Sequence, residues 1–136
     1  MSRAMVWRER PNVMSDLETV PGVTSAALRR DSDGELAFTV GSAVQVIEAC
    51  TRSGIAVLGV EVFPGLNLST YDLHLKDPAD EKDWPNYVRT NNALAEDFLR
   101  TNPAPGTNEC VLTTASWREL YESMRAREAM RKQELR

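Results

Sequence analysis

The chain predicts an α/β (α+β) fold: a single compact domain in which a small sheet, built on a central β-hairpin, is packed by three helices. Three observations predict it. Residues Ile55 to Phe63 form an apolar, β-branched run closed by Pro64-Gly65, and Leu68 to Leu75 then alternates apolar with polar. Residues Val40, Ala43, Val44, Ile47 and Cys50 recur at helical spacing. Two further stripes, each led by a tryptophan, follow at Trp84 and Trp117. Period-two and period-3.6 patterns alternating in one chain are the signature of a sheet with helices on it.

The elements follow in order. Residues 1–15 have no clear period and read as a partly ordered lead, with residues 16–136 as the α/β domain. Asp16 to Val20 suits one helical turn, stopped by Pro21-Gly22. Val23 to Leu28 suits a short strand or packed loop, and Arg29 to Gly34 a solvated turn. Glu35 to Phe38 leads into a helix over about 40–53, with Thr39 as its N-cap and Gly54 just past its end. In the hairpin, Pro64 and Gly65 fit the central positions of a type II turn. Strict alternation puts Leu58, Val60 and Val62 on one side with Tyr71, Leu73 and Leu75. Val57, Gly59 and Glu61, with Thr70, Asp72 and His74, fall on the other. Asp83 is placed to cap a helix over 84–101, whose apolar face carries Trp84, Val88, Asn91, Ala95 and Phe98, flanked by Tyr87, Leu94 and Leu99. Cys110 to Thr113 suits a short strand. Thr114 is placed to cap a last helix over about 115–130 with the stripe Trp117, Leu120, Tyr121, Met124, beyond which it is charged and has little to bury.

At 136 residues and 42% apolar content the chain can bury a core without metal or disulfide staples. Its net charge is −4, unevenly spread. Residues 1–113 hold 10 basic and 16 acidic side chains, and residues 114–136 hold 6 and 4. An acidic body argues against nucleic acid as partner and favours encounter with basic ones. No apolar run approaches a membrane span, and Met1 to Trp7 is too short for a signal core, so the default compartment is the cytoplasm. Cys50 and Cys110 each sit in an apolar stretch and read as buried free thiols.

Glu61, Asp72 and His74 are the one set suited to holding a hard cation or moving protons, but a single histidine in the chain argues for an ordinary polar strand face. Cys50, His74 and Asp72 make a conceivable nucleophilic set, against which stands the place of Cys50 on its helix's apolar stripe. The glycines keep no phosphate-cradling spacing, and there is no CxxC, HExxH or GxSxG. From Asp77 to Asp83 runs an acidic loop, with Asp77, Asp80, Glu81 and Asp83 against Lys76 and Lys82. Such a run is usually solvated surface; Trp84 beside it suggests a binding surface, although packing as the first residue of its stripe is the simpler reading.

From Phe38 to Trp84 the residues also carry a resemblance. Ala37-Phe38-Thr39, Ala43-Val44-Gln45-Val46-Ile47-Glu48, Gly54 to Phe63, Thr70-Tyr71-Asp72 and Trp84-Pro85-Asn86-Tyr87-Val88 together resemble the bacterial immunity-protein family numbered forty, which accompanies polymorphic toxins. The family favours Leu-Gly-Gly-Asp-Val-Tyr where this chain has Leu58-Gly59-Val60-Glu61-Val62-Phe63, and often Asn-Trp where it has Leu73-His74. The likeness covers roughly residues 36–100. It implies a compact α/β protein that binds and neutralises a cognate toxin, with no catalysis and no cofactor.

Put together, the expected function is toxin neutralisation by direct protein–protein contact. Glu61, Asp72, His74, Asp77, Asp80, Glu81 and Asp83 are the expected partner-facing groups, with Trp84, Tyr87 or His74 as a dry anchor. The alternatives are a small metal-dependent enzyme using Glu61, Asp72 and His74, and a structural or regulatory subunit that homodimerises through its last helix.

Overall fold

The computed structural model describes residues 15–31, 33–63, 69–72 (backbone alone), 78, 80–101 and 108–135. Over these residues a wholly antiparallel sheet forms from β1 (Arg29–Arg30), β2 (Leu36–Thr39), β3 (Ala56–Phe63), β4 (Ser69–Asp72) and β5 (Glu109–Ala115), in the spatial order β1-β2-β5-β3-β4. The helices are α1 (Val23–Ala26), α2 (Val40–Arg52), α3 (Trp84–Thr101) and α4 (Trp117–Glu134), with 3-10 turns at Asp16–Thr19 and Glu81–Asp83. The fold is α+β and contains the β3–β4 hairpin.

Helix α2 starts where Thr39 Oγ1 accepts the Ser42 N–H at 3.0 Å, and it ends before Gly54, whose φ of 75° is cheap for glycine alone. Leu36 to Thr39 is a strand, not a plain lead into the helix, because Ala37, Phe38 and Thr39 pair with Val111, Cys110 and Glu109. Val23 to Ala26 is one helical turn, not a strand. The last strand in sequence, β5, is central in space. It runs to Ala115, so Thr114 is a strand residue and Ser116 caps α4 instead. Ser116 Oγ accepts the Glu119 N–H at 3.1 Å while Glu119 Oε1 accepts the Ser116 N–H at 2.9 Å, a reciprocal cap.

The main core lies between the sheet and helices α2 and α3. Phe38, Cys110 and Val62 form one row across three strands, Val60 and Leu112 the next, and Ala43, Ile47, Cys50, Ala95 and Leu99 pack on them. A second cluster gathers Ala56, Trp84, Tyr87, Val88, Ala115 and Leu120, with Leu58, Trp117 and Met124 at its margin. Helix α3 serves both, its first half in the second cluster and its second half in the first.

Strict alternation fails at one place in β3. Val57 pairs with Thr114 and Gly59 with Thr113, which leaves Leu58 as an extra residue, a β-bulge. The bulge turns Val57 into the main core beside Val60 and Val62, and sends Leu58 to the second cluster with Ala56. This inverts the faces expected for Val57 and Leu58.

Asn92, which the apolar stripe did not single out, holds the start of this strand. Its Oδ1 accepts the Val57 N–H at 2.8 Å, and its Nδ2 donates to the Ile55 carbonyl at 3.0 Å and to Thr51 Oγ1 at 2.9 Å. The described part of β4 reaches Asp72, opposite Gly59. Toward the start of β3 from there, the Asn92 carboxamide holds the Val57 N–H and the Ile55 carbonyl. Nearby, Trp84 Nε1 donates to the Gly54 carbonyl at 2.8 Å. Two side chains of α3 therefore hold the turn between α2 and β3.

Candidate functional site

The acidic residues before α3 form a defined turn. Asp80 Oδ1 accepts the Lys82 N–H at 3.0 Å, and the Asp80 carbonyl accepts the Asp83 N–H at 3.2 Å. Asp80, not Asp83, is thus the capping residue, because a 3-10 turn precedes the helix and runs straight into it. Asp80, Glu81, Lys82 and Asp83 are all exposed. Among the described residues, none of the three carboxylates has an ion-pair partner. Negative charge at a helix N-terminus is favourable through the aligned peptide dipoles, by about 0.3–1 kcal/mol. That accounts for their tolerance there, and it leaves their outer oxygens open to another molecule.

The anchors expected beside this turn are placed elsewhere. Trp84 and Tyr87 are only 7% and 8% exposed. Their rings stack on each other at 5.2 Å, and Trp84 meets Trp117 at 5.7 Å. Both are packing residues of the second cluster, and the Gly54 carbonyl uses the one polar group of the indole. The aromatic series continues outward instead: Trp117 is half-buried and contacts Tyr121 at 5.7 Å, and Tyr121 is 44% exposed.

Glu61 lies on β3 opposite Thr70 of β4 and Val111 of β5. It is half-buried, and in the same row Ala37 and Val111 are buried. The face expected to be open around Glu61 is therefore partly covered. Asp72 closes β4; its side chain, and all of His74 and Asp77, lie outside the described residues. The structure thus brings Asp80, Glu81 and Asp83 together and sets Trp84 and Tyr87 behind them.

The two thiols are poor nucleophiles. Cys50 and Cys110 are unpaired and buried in the main core, and burial pushes each thiol pKa up to about 12. At neutral pH both are protonated, and this removes the Cys50 nucleophile considered from the sequence.

A second acidic cluster was missed. Carboxylate oxygens of Asp31, Asp33 and Glu35 lie within 4.8 Å of one another. The signal was the acid at every second residue in Asp31-Ser32-Asp33-Gly34-Glu35. Its geometry has a local cause: Asp31 Oδ1 accepts the N–H groups of Asp33 and Glu35, both at 2.9 Å, and Gly34 takes a φ of 82° to close the turn.

At the root of α4, Asp16 binds the helix start. Arg118 Nη2 donates to Asp16 Oδ1 at 2.8 Å, Ser116 Oγ donates to Asp16 Oδ2, and Glu119 Oε2 accepts the Asp16 N–H at 3.2 Å. Burial, which outweighs the two backbone N–H bonds it accepts, raises the Glu119 carboxyl above its ordinary range. Among the described residues, no helix is long and apolar enough to cross a membrane. No protein-family model, no curated protein and no solved structure matches this chain.

Proposed function

We propose that this chain is a cytoplasmic immunity protein: it binds a cognate toxin domain and neutralises it by direct contact, without catalysis. The observation that carries the reading is the exposed turn of Asp80, Glu81 and Asp83, whose carboxylates no cation neutralises among the described residues. Toxins that act on nucleic acids carry basic surfaces because their substrate is a polyanion. A rigid acidic turn on the inhibitor raises the rate of encounter with such a surface and sets orientation. The likeness of residues 36–100 to an immunity family supplies the choice of a toxin as the basic partner. The inert state of Cys50 and Cys110 supports it, since it removes one route to an enzyme.

The reading expects the neighbouring gene to encode a large secreted toxin, and the test is co-expression with that toxin's C-terminal domain. The reading expects cells to survive and the two proteins to purify together. Death of the cells with both proteins expressed and folded would contradict it. Changing Asp77, Asp80, Glu81 and Asp83 to Ser is expected to weaken the complex at least tenfold and to remove most of its salt dependence; an unchanged complex would defeat the assignment of the turn.

A further inference from the structure

Helix α4 is held to the domain by its first two turns. Leu120 is its one buried side chain, Trp117 and Met124 are half-buried, and residues 125–135 are all exposed. Those three side chains close the second cluster. Trp117 lies 5.7 Å from the Trp84 ring, and Leu120 belongs with Ala56 and Ala115, which pair where β3 starts and β5 ends. The helix is thus a cover over this cluster. In water a lone helix of such length is marginal, so its order depends on what fastens its root.

The fastening comes from a residue 100 to 103 positions earlier in the chain. Asp16 turns its N–H and both carboxylate oxygens to the start of α4. The N–H donates to Glu119 Oε2 at 3.2 Å, Oδ1 accepts from Arg118 Nη2 at 2.8 Å, and Oδ2 accepts from Ser116 Oγ. Ser116 and Glu119 are the pair that caps the helix, so Asp16 is built into the cap. Its side chain is only 22% exposed, which shields its bonds from water better than those of pairs out on the helix, such as Lys132 with Glu128. The turn that carries Asp16 is rooted elsewhere: Leu17 and Val20, which follow it, are buried in the main core. Asp16 therefore joins an element seated in one cluster to a cover resting on the other.

We propose that α4 is a lid over the Trp84 cluster, latched by Asp16, and that it opens as one unit while the main core stays folded. Opening breaks the three Asp16 bonds and the contacts of Trp117, Leu120 and Met124, and it uncovers Ala115 and the side of Trp84 that meets Trp117. The pairing of β5 with β2 and β3 uses none of the lid's residues and stays in place. Elements with few buried contacts are the ones that open locally in this way. The lid does not depend on the toxin reading.

The test is the rate at which a thiol placed under the lid is labelled in the folded full chain, introduced by Ala115→Cys. Ala115 is fully buried in the cluster that α4 covers, while Cys50 and Cys110, buried in the main core, report unfolding of the core in the same molecule. Labelling at position 115 is expected to be about tenfold or more faster than at the native thiols. Asp16→Ala removes the latch and is expected to speed it by about tenfold again. Ile47→Val, in the main core, weakens the closed and the open forms alike. It is expected to speed labelling of Cys50 and Cys110 and to leave position 115 unchanged. Hydrogen exchange of the parent repeats the comparison without an added thiol. The Leu120 N–H, bonded to the Ser116 carbonyl at 3.0 Å, is expected to exchange faster than those of Cys110 and Val111, where β5 is paired on both sides. A thiol at 115 labelled no faster than the native ones, a rate indifferent to Asp16→Ala, or equal exchange at Leu120 and in β5 would overturn the proposal.

Discussion

The inner face of α3 and the acidic turn that leads into it are joined in sequence, yet they treat their polar groups in opposite ways. Inside, Asn92 makes three hydrogen bonds to its own chain, and the Trp84 indole makes a fourth. Outside, Asp80 uses one oxygen on its own turn, while Glu81 and Asp83 use none among the described residues. Groups satisfied by the fold contribute to stability. Charges the fold leaves open cost it almost nothing, and they are the ones available to a partner. The difference separates scaffold from candidate contact surface within about a dozen residues of one another.

The largest expected effect breaks the inner side. Asn92→Ala removes the partner of the Ile55 carbonyl and the Val57 N–H, and both then stay buried and unpaired. The cost is about 3–4 kcal/mol, read as a lower urea midpoint with an unchanged slope. Its neighbour tests the same logic with the opposite sign. Asn91 is fully buried, and neither its Oδ1 nor its Nδ2 has a hydrogen-bond partner among the described residues. Asn91→Leu is expected to stabilise the fold by roughly 1–3 kcal/mol in the same assay. A loss of stability would show that the Asn91 amide is in use.

A smaller effect concerns pH. Burial raises the folded-state pKa of Glu119 above its unfolded value. Between the two, the folded protein holds more protons than the unfolded one, so stability falls as pH rises through the acid range. Glu119→Gln keeps an acceptor for the Ser116 N–H and removes the charge. It is expected to flatten that slope; because its single oxygen can accept only one of the two N–H groups, Ser116 and Asp16, that Glu119 binds, no gain in stability is expected at neutral pH. A variant with an undiminished slope would show that Glu119 is not its source.

The smallest effect on stability belongs to the turn. Changing Asp80, Glu81 and Asp83 to Ser keeps a side-chain oxygen at the capping position and removes only the charge–dipole attraction, so the expected loss is at most about 1 kcal/mol at each site. A large loss would erase the contrast between inside and outside.

Much of this scaffold was legible in the residues. Thr39 and Gly54 mark the two ends of α2, and the Trp84 stripe marks α3, because caps and periodicity act locally. The cap of α4 was misplaced: the sequence points to Thr114 as the capping residue, but pairing with Val57 draws it into β5, and Ser116 with Glu119 makes the cap instead. The bulge at Leu58 was not legible, since one extra residue in a strand leaves the composition of the run unchanged. Nor was the fate of Trp84: an indole at the edge of an acidic loop can anchor a partner or its own core, and a carbonyl 30 residues earlier in the chain decides it. The candidate site was read as an acidic stretch plus aromatic anchors. The acidic part is at the surface where described, and the anchors are inside.

The most direct test of the central claim is the association rate of the purified chain with the toxin domain proposed as its partner, measured against ionic strength for the parent and for the variant with Ser at 80, 81 and 83. The account predicts a fast rate for the parent that falls steeply with salt, and a slower, nearly salt-independent rate for the variant. Identical rates and identical salt slopes would contradict it.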